Sequence, residues 1–335
     1  MNVERFSLPL SRPLSTAAGT VDERTGFLVR VTVDGAAGVG EATPLPGWTE
    51  SLDACETALR GVSDPVAALD NDTLAGAPAA RHGVSLAVLD ARARAAGRPL
   101  YRNLGDDDVD REAVPVNATI GDADPGATAD AAARAVDAGF PAVKLKVGAR
   151  PLSADLDRLE AVRKRCPDVE LRADANGAWT PATAERALGA LAEMGVAFVE
   201  QPLTAANLEG HAALAGGPVG VGLDEGVVEH GVDAVLEADA ADVVVCKPMA
   251  LGGVDRARAA AVRARAAGRE AVVTTTIDAA VARAGAVHLA ASLPDVPTCG
   301  LATGDRLADD LRDDVATAAD GAVPVPQGDG SLPLE

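Results

Sequence analysis

Ala142-Val143-Lys144-Leu145-Lys146-Val147 is the first of five short apolar runs that each end in charge. The others are Arg172-Ala173-Asp174-Ala175-Asn176-Gly177, Phe198-Val199-Glu200-Gln201-Pro202, Val221-Gly222-Leu223-Asp224-Glu225 and Val243-Val244-Val245-Cys246-Lys247-Pro248. From Lys146 through Asp174, Glu200 and Asp224 to Lys247 the intervals are 28, 26, 24 and 23 residues (146→174→200→224→247). Each interval is the length of one strand, one helix and their connections. In a parallel barrel such strand ends share one rim, and that rim is where these folds hold their active sites.

Working outward, apolar segments at 114–119, 142–147, 169–174, 196–200, 218–223, 242–247, 271–276 and 298–302 alternate with helical stretches. The helices are expected near 125–138, 153–165, 181–194, 207–215, 230–237, 253–267 and 279–291. Eight strands and seven intervening helices predict an α/β fold, a TIM-type (β/α)7β barrel over residues 111–305. An open doubly wound sheet is the rival, but eight evenly spaced units favour closure, and no G-x-G-x-x-G follows a first strand. Residues 1–110 read differently, with strands at 6–8, 26–33 and 38–42, a turn at Asp34-Gly35, and helices around 50–61 and 83–96. They form an α+β domain, and 306–335 is a C-terminal segment expected to return to it.

Each strand-end charge has an ordinary explanation. A carboxylate there can cap the following helix, and a lysine can simply reach water. Two observations change the weighing. The chain contains four lysines, at 144, 146, 164 and 247, and three of them lie in this set. Arginine serves for surface charge but cannot readily lose its proton, whereas lysine can be tuned to act as a base. Carboxylates on three successive strands also make a hard, all-oxygen set suited to Mg2+. The chemistry that needs both is removal of a proton next to a carboxylate. The dianion formed requires a cation, and a nearby amine takes the proton.

The formal net charge of -20 argues against nucleic acid, which would be repelled. Asp-rich turns such as Asp106-Asp107-Asp108 and Asp309-Asp310, with arginine in place of lysine, fit a surface adapted to high salt. No apolar run approaches the ~18 residues needed to span a bilayer, and the N-terminus does not read as a secretory signal. The expectation is a soluble, cytoplasmic protein acting on a small carboxylate, with a homo-oligomer open. Cys55, Cys166, Cys246 and Cys299 form no C-x-x-C pair, and His82, His211, His230 and His288 show no metal-binding spacing.

With K-x-K, D-x-N, V-E-Q-P, D-E and a final lysine in this order, the sequence resembles the enolase superfamily over nearly its whole length. The resemblance implies that Asp174, Glu200 and Asp224 bind Mg2+ (Mn2+ can substitute). It implies Lys146 as general base, Lys144 as the group that lowers its pKa, and Lys247 on the opposite face of the substrate. The N-terminal domain becomes a capping domain, with 15–25 and 43–51 as lid loops over the barrel mouth. Asn176, Thr275, Thr276 and Gly19 become substrate contacts. Within the muconate-lactonizing-enzyme-like branch, Gly40-Glu41-Ala42-Thr43-Pro44-Leu45-Pro46-Gly47-Trp48-Thr49-Glu50-Ser51, Asp174–Trp179 and Cys299–Gly304 are similar to the o-succinylbenzoate synthases. That family dehydrates a succinyl-hydroxycyclohexadiene carboxylate in menaquinone biosynthesis. Gly226 stands where a serine is usual, and Asp278 where relatives often carry glutamate. Racemisation of N-acylamino acids, or epimerisation of dipeptides with Asp278 meeting the substrate ammonium, stays open. Muconate cycloisomerisation and a non-catalytic binding role are weaker alternatives.

Overall fold

Alternating β-branched and apolar residues draw the start of the chain into antiparallel strands β1 (Asn2–Thr16), β2 (Gly19–Val33) and β3 (Ala36–Ala42). Asp34 and Gly35 turn β2 into β3 with φ of 55° and 81°, the left-handed pair that a two-residue hairpin demands. The computed structural model describes residues 1–16, 19–105, 110–312 and 317–331. Ala17-Ala18 and Asp106-Asp107-Asp108 therefore lie outside the described residues. Residues 19–25 belong to β2, whose ladder with β1 runs to the pair Thr16 and Gly19. Three helices follow: α1 (Leu52–Arg60), α2 (Pro65–Asp70) and α3 (Pro78–Ala95). Phe27, Val29 and Val31 point from β2 into a core shared with Val84, Ala87 and Val88 of α3. Gly40 allows α3 to lie directly on β3, because a Cβ there would sit 2.0 Å from the Gly83 carbonyl oxygen.

After α4 (Leu100–Leu104) and the short β4 (Ala113–Pro115) comes the repeat of parallel strand and helix. Its strands are β5 (Asn117–Ile120), β6 (Ala142–Lys146), β7 (Glu170–Asp174), β8 (Val196–Glu200), β9 (Gly220–Leu223), β10 (Val243–Cys246) and β11 (Glu270–Val273). They lie side by side in chain order. The eighth strand expected at 298–302 is instead two parallel bridges, Cys299 to Val116 and Gly300 to Thr274, which join β11 back to the β5 side. Pro297 before it and Gly300 within it shorten that ladder. The intervening helices are α5 (Pro125–Asp137), α6 (Leu152–Arg165), α7 (Pro181–Glu193), α8 (Leu208–Leu214), α9 (Glu225–His230), α10 (Val232–Glu237), α11 (Pro248–Leu251), α12 (Val254–Ala266) and α13 (Ala280–Ala291). Asp124 and Thr180 start α5 and α7 by accepting from the backbone N–H of Ala127 and Thr183, each followed by a proline suited to a first turn. The short helices α9 and α11 follow the ends of β9 and β10 after a single intervening residue, ahead of the helices expected near 230–237 and 253–267.

The C-terminal segment pairs β12 (Ala322–Pro324) with β4 and bridges Leu307 to Leu10 of β1. Among the described residues, no helix is long and apolar enough to cross a membrane.

Candidate active site

The five charged strand ends do converge. Lys144 Nζ donates to Glu200 Oε2 at 2.7 Å and lies 3.2 Å from Asp174 Oδ2. Lys146 Nζ donates to the same Asp174 oxygen at 2.6 Å and to Asn176 Oδ1 at 2.8 Å. Lys247 pairs with Asp224, and its ammonium lies 3.6 Å from the centre of the Trp48 ring. The pairing follows from strand geometry. Lys144 and Lys146 are two residues apart on β6 and share a face, and Asp174 is the direct register partner of Lys146 on β7.

Supports beneath the rim fix these ends. Arg158 of α6, fully buried, donates to the carbonyl oxygens of Lys146 and Gly121 and to Asp155. Asp155 in turn accepts from the Gly148 N–H at 2.7 Å. Gln201, just past β8, is fully buried, and its Oε1 accepts from the N–H groups of Asp224 and Gly226 at 3.1 and 3.0 Å. Asn176, Gln201 and Ile277 all hold positive φ, of 44°, 45° and 62°. For the β-branched Ile277 this conformation is strained. Its carbonyl accepts from Arg24 Nε of the N-terminal hairpin at 3.1 Å, and Arg24 also holds the carbonyls of Thr43 and Pro44. The segment from Thr43 to Trp48 is thus tied down at one end and placed against Lys247 at the other.

The electrostatics divide the carboxylates. Burial pushes Glu200 up to about 7, helped by the Asp174 charge and opposed by Lys144. Burial also acts to raise Asp174, but Lys144, Lys146 and Lys247 outweigh it and hold that carboxyl below the usual range. Asp224 is raised by burial against the pull of Lys247. Burial alone would lower Lys144; Glu200 and Asp174 reverse that and hold its pKa above the ordinary lysine value.

As these side chains stand, each carboxylate turns to a lysine, and no three His, Cys, Asp or Glu among the described residues surround one point. Within the proposed metal set, Asp224 Oδ1 is nevertheless buried with no hydrogen-bond partner. An orphaned carboxylate oxygen in an all-oxygen set fits a hard divalent cation.

The other expected contacts are placed differently. Asn176 bonds Lys146 and Glu225. The Thr275 hydroxyl bonds that of Thr303 at 2.9 Å, and Thr276 donates to Asp278 at 2.5 Å. Gly19 sits at the exposed end of the β1–β2 hairpin. Asp278, suggested above as a partner for a substrate ammonium, is 1% exposed, and both its oxygens accept from Thr276. It belongs to the buried junction beside Arg24 and Glu41, which corrects that expectation. Sequence reading placed Trp48, Gln201 and Glu225 within its motifs but gave none of them an individual role in the site. For Gln201 and Glu225 the signal was present, since each directly follows a strand-end carboxylate.

A capped barrel whose rim gathers a lysine pair and three carboxylates is the frame of an enzyme class. Residues 127–331 match the family model described as Enolase C-terminal domain-like, and residues 1–91 match MenC, N-terminal domain. The chain belongs to the enolase superfamily. It is 32% identical to the L-Ala-D/L-Glu epimerase of Bacillus subtilis (strain 168), covering 87% of this chain and 84% of the relative. The solved structure of that epimerase superposes with a TM-score of 0.89 over 98% of this chain and 96% of the other. The o-succinylbenzoate synthase of Thermobifida fusca (strain YX) is 38% identical over 66% of this chain and 69% of its own. The dipeptide epimerase of Enterococcus faecalis V583, solved with Mg and L-Leu-L-Tyr, gives a TM-score of 0.88 at 26% identity, covering 98% of this chain and 97% of the other.

Proposed function

We propose that this chain is an o-succinylbenzoate synthase, which converts 2-succinyl-6-hydroxy-2,4-cyclohexadiene-1-carboxylate to o-succinylbenzoate and water. The observation that carries the reading is the asymmetry of the two opposed lysines. Both lysines are paired with a carboxylate, but only Lys247 also lies against an aromatic ring, the Trp48 indole, a cation–π contact suited to holding positive charge over a flat substrate. Lys146, with its side chain 41% exposed, is the lysine open to a substrate. The match of residues 1–91 to the MenC N-terminal domain supports the same reading.

In this scheme Lys146 takes the proton from the carbon bearing the carboxylate. The C–O bond to the ring hydroxyl then breaks, and the departing oxygen collects that proton from Lys146 and leaves as water. Lys247 offers positive charge to the flat face of the ring as it becomes aromatic. Asp174, Glu200 and Asp224 would hold Mg2+, which supplies charge against the substrate carboxylate while its neighbouring proton is removed.

Racemisation of N-acylamino acids or epimerisation of dipeptides is the second reading, favoured by the similarity to the B. subtilis epimerase over most of the chain. Both Asp278 oxygens are already taken by Thr276, which speaks against Asp278 as the acid for a dipeptide ammonium. The test is a spectrophotometric assay of the cyclohexadiene carboxylate with Mg2+ in high salt, beside Lys146→Ala. Turnover that needs both Mg2+ and Lys146 is expected. Folded, Mg2+-binding protein with no turnover, but with α-proton exchange in D2O on N-succinylamino acids or dipeptides, would move the assignment to the second reading.

A further inference from the structure

Lys146 has four rotatable side-chain bonds and stands partly in the open, so something must aim its amine. Two acceptors hold it. Asp174 is one, but that carboxylate is shared with Lys144 and belongs to the set proposed for the metal. The other is the amide oxygen of Asn176, a neutral group that can orient an amine without taking its proton. An amide can serve this way in only one of its two flipped orientations. Turned over, it would present an NH2 group to another donor.

Glu225 decides the orientation. Its Oε1 accepts from Asn176 Nδ2 at 3.2 Å, and a carboxylate can only accept there, which commits the amide oxygen to Lys146. The backbone is prepared for this. Asn176 holds φ at 44°, a conformation asparagine tolerates better than most residues, and its N–H donates to Asp174 Oδ1 at 3.2 Å. Glu225 is held in turn, because Gln201 grips the N–H groups on either side of it.

We infer that Glu225 is a positioning residue which, by fixing the Asn176 amide, aims Lys146 at the substrate carbon. The inference rests on Lys146 being the base in the proposed function. Its competitor is that Glu225, whose Oε2 is buried and unpartnered, is itself a metal ligand.

The test uses the full-length protein with Mg2+ and the cyclohexadiene carboxylate, and Mg2+ affinity is measured separately by titration calorimetry with MgCl2. Glu225→Ala should lower kcat by about 10- to 100-fold, with KM and Mg2+ affinity changed by no more than about threefold. Glu225→Gln, which can still accept through its amide oxygen, should restore most of kcat. Asn176→Ala should fall as far as Glu225→Ala, and the double variant no further than Asn176→Ala alone, because the two act in series. Unchanged kcat in Glu225→Ala, or losses that multiply in the double variant, would overturn the inference. So would a tenfold or greater loss of Mg2+ affinity in both Glu225 variants, which would make Glu225 a ligand. If wild type ignores this substrate, the same variants are read by Lys146-dependent α-proton exchange on N-succinylamino acids and dipeptides. Then only the synthase reading has failed. No such exchange on any of them would overturn both.

Discussion

Glu41 is a fully buried carboxylate at the junction of the N-terminal domain and the barrel, and its ionisation sets a pH dependence of stability. Its Oε1 accepts from the Ala279 N–H at 2.9 Å and from the Thr43 hydroxyl at 2.5 Å, and Oε2 accepts from the Ala282 N–H at 2.8 Å. A side chain of β3 thereby caps helix α13, whose first turn follows the strained Ile277. Asp278, Arg24 and His82 are the charged or titratable groups around it. Burial, and then the neighbouring Asp278 charge, push the Glu41 carboxyl up to about 7, from an ordinary value of 4.5. A folded pKa above the unfolded one means that the contribution is complete below pH 4.5 and is lost as pH rises through 7. The shift corresponds to roughly 3 kcal/mol. Urea unfolding of wild type and Glu41→Gln at pH 5 and pH 8, at one fixed salt concentration, isolates this group. The wild type should lose about 2.5 kcal/mol more than the variant between the two pH values, the rest of the shift having been felt already below pH 5. Parallel pH dependences would refute the reasoning, because they would mean that Glu41 releases the same number of protons in the folded and the unfolded state over that range. Glu41→Ala should cost about 3–5 kcal/mol at pH 5, since two helix N–H groups lose their partner in a dry junction.

Gly40→Ala should destabilise the fold by at least about 3 kcal/mol in the same assay, because the new methyl would meet the backbone of α3 and neither element can yield cheaply. His288 runs opposite to Glu41. Burial lowers it from 6.5 to about 4, with Nδ1 accepting from the Tyr101 N–H and Nε2 donating to the Ser331 carbonyl. Its contribution is therefore present above pH 6.5 and lost as pH falls through 4, roughly 3 kcal/mol in all. NMR titration should find its ring neutral at pH 5.5, and a ring that titrates near 6.5 would contradict the burial argument. The chain has two tryptophans, so a Trp179→Phe protein reports on Trp48 alone. Adding Lys247→Ala should alter its emission, since the ammonium at 3.6 Å leaves the ring face. Identical spectra would mean that the two do not meet in solution.

The sequence by itself determined the barrel repeat and which charged residues stand at its strand ends. Regular spacing forces Lys146, Asp174, Glu200, Asp224 and Lys247 to one end of a parallel sheet, because each βα unit returns the chain to the same rim. The scarcity of lysine marked three of these positions as more than surface charge. Hydrophobic alternation likewise told the N-terminal strands from the barrel repeat. Which side chain holds which was decided only by tertiary structure. Gln201 clasps the backbone on either side of Glu225, and Trp48 reaches Lys247 across nearly 200 residues of chain. Glu41 caps a helix that begins at residue 280, and Asp278, which reads as a rim residue, turns into the junction beneath it. Periodicity reports the direction in which a side chain leaves its own strand or helix. The partner that meets it depends on how separate elements pack, and that packing is set by burial and shape complementarity, which no local pattern encodes.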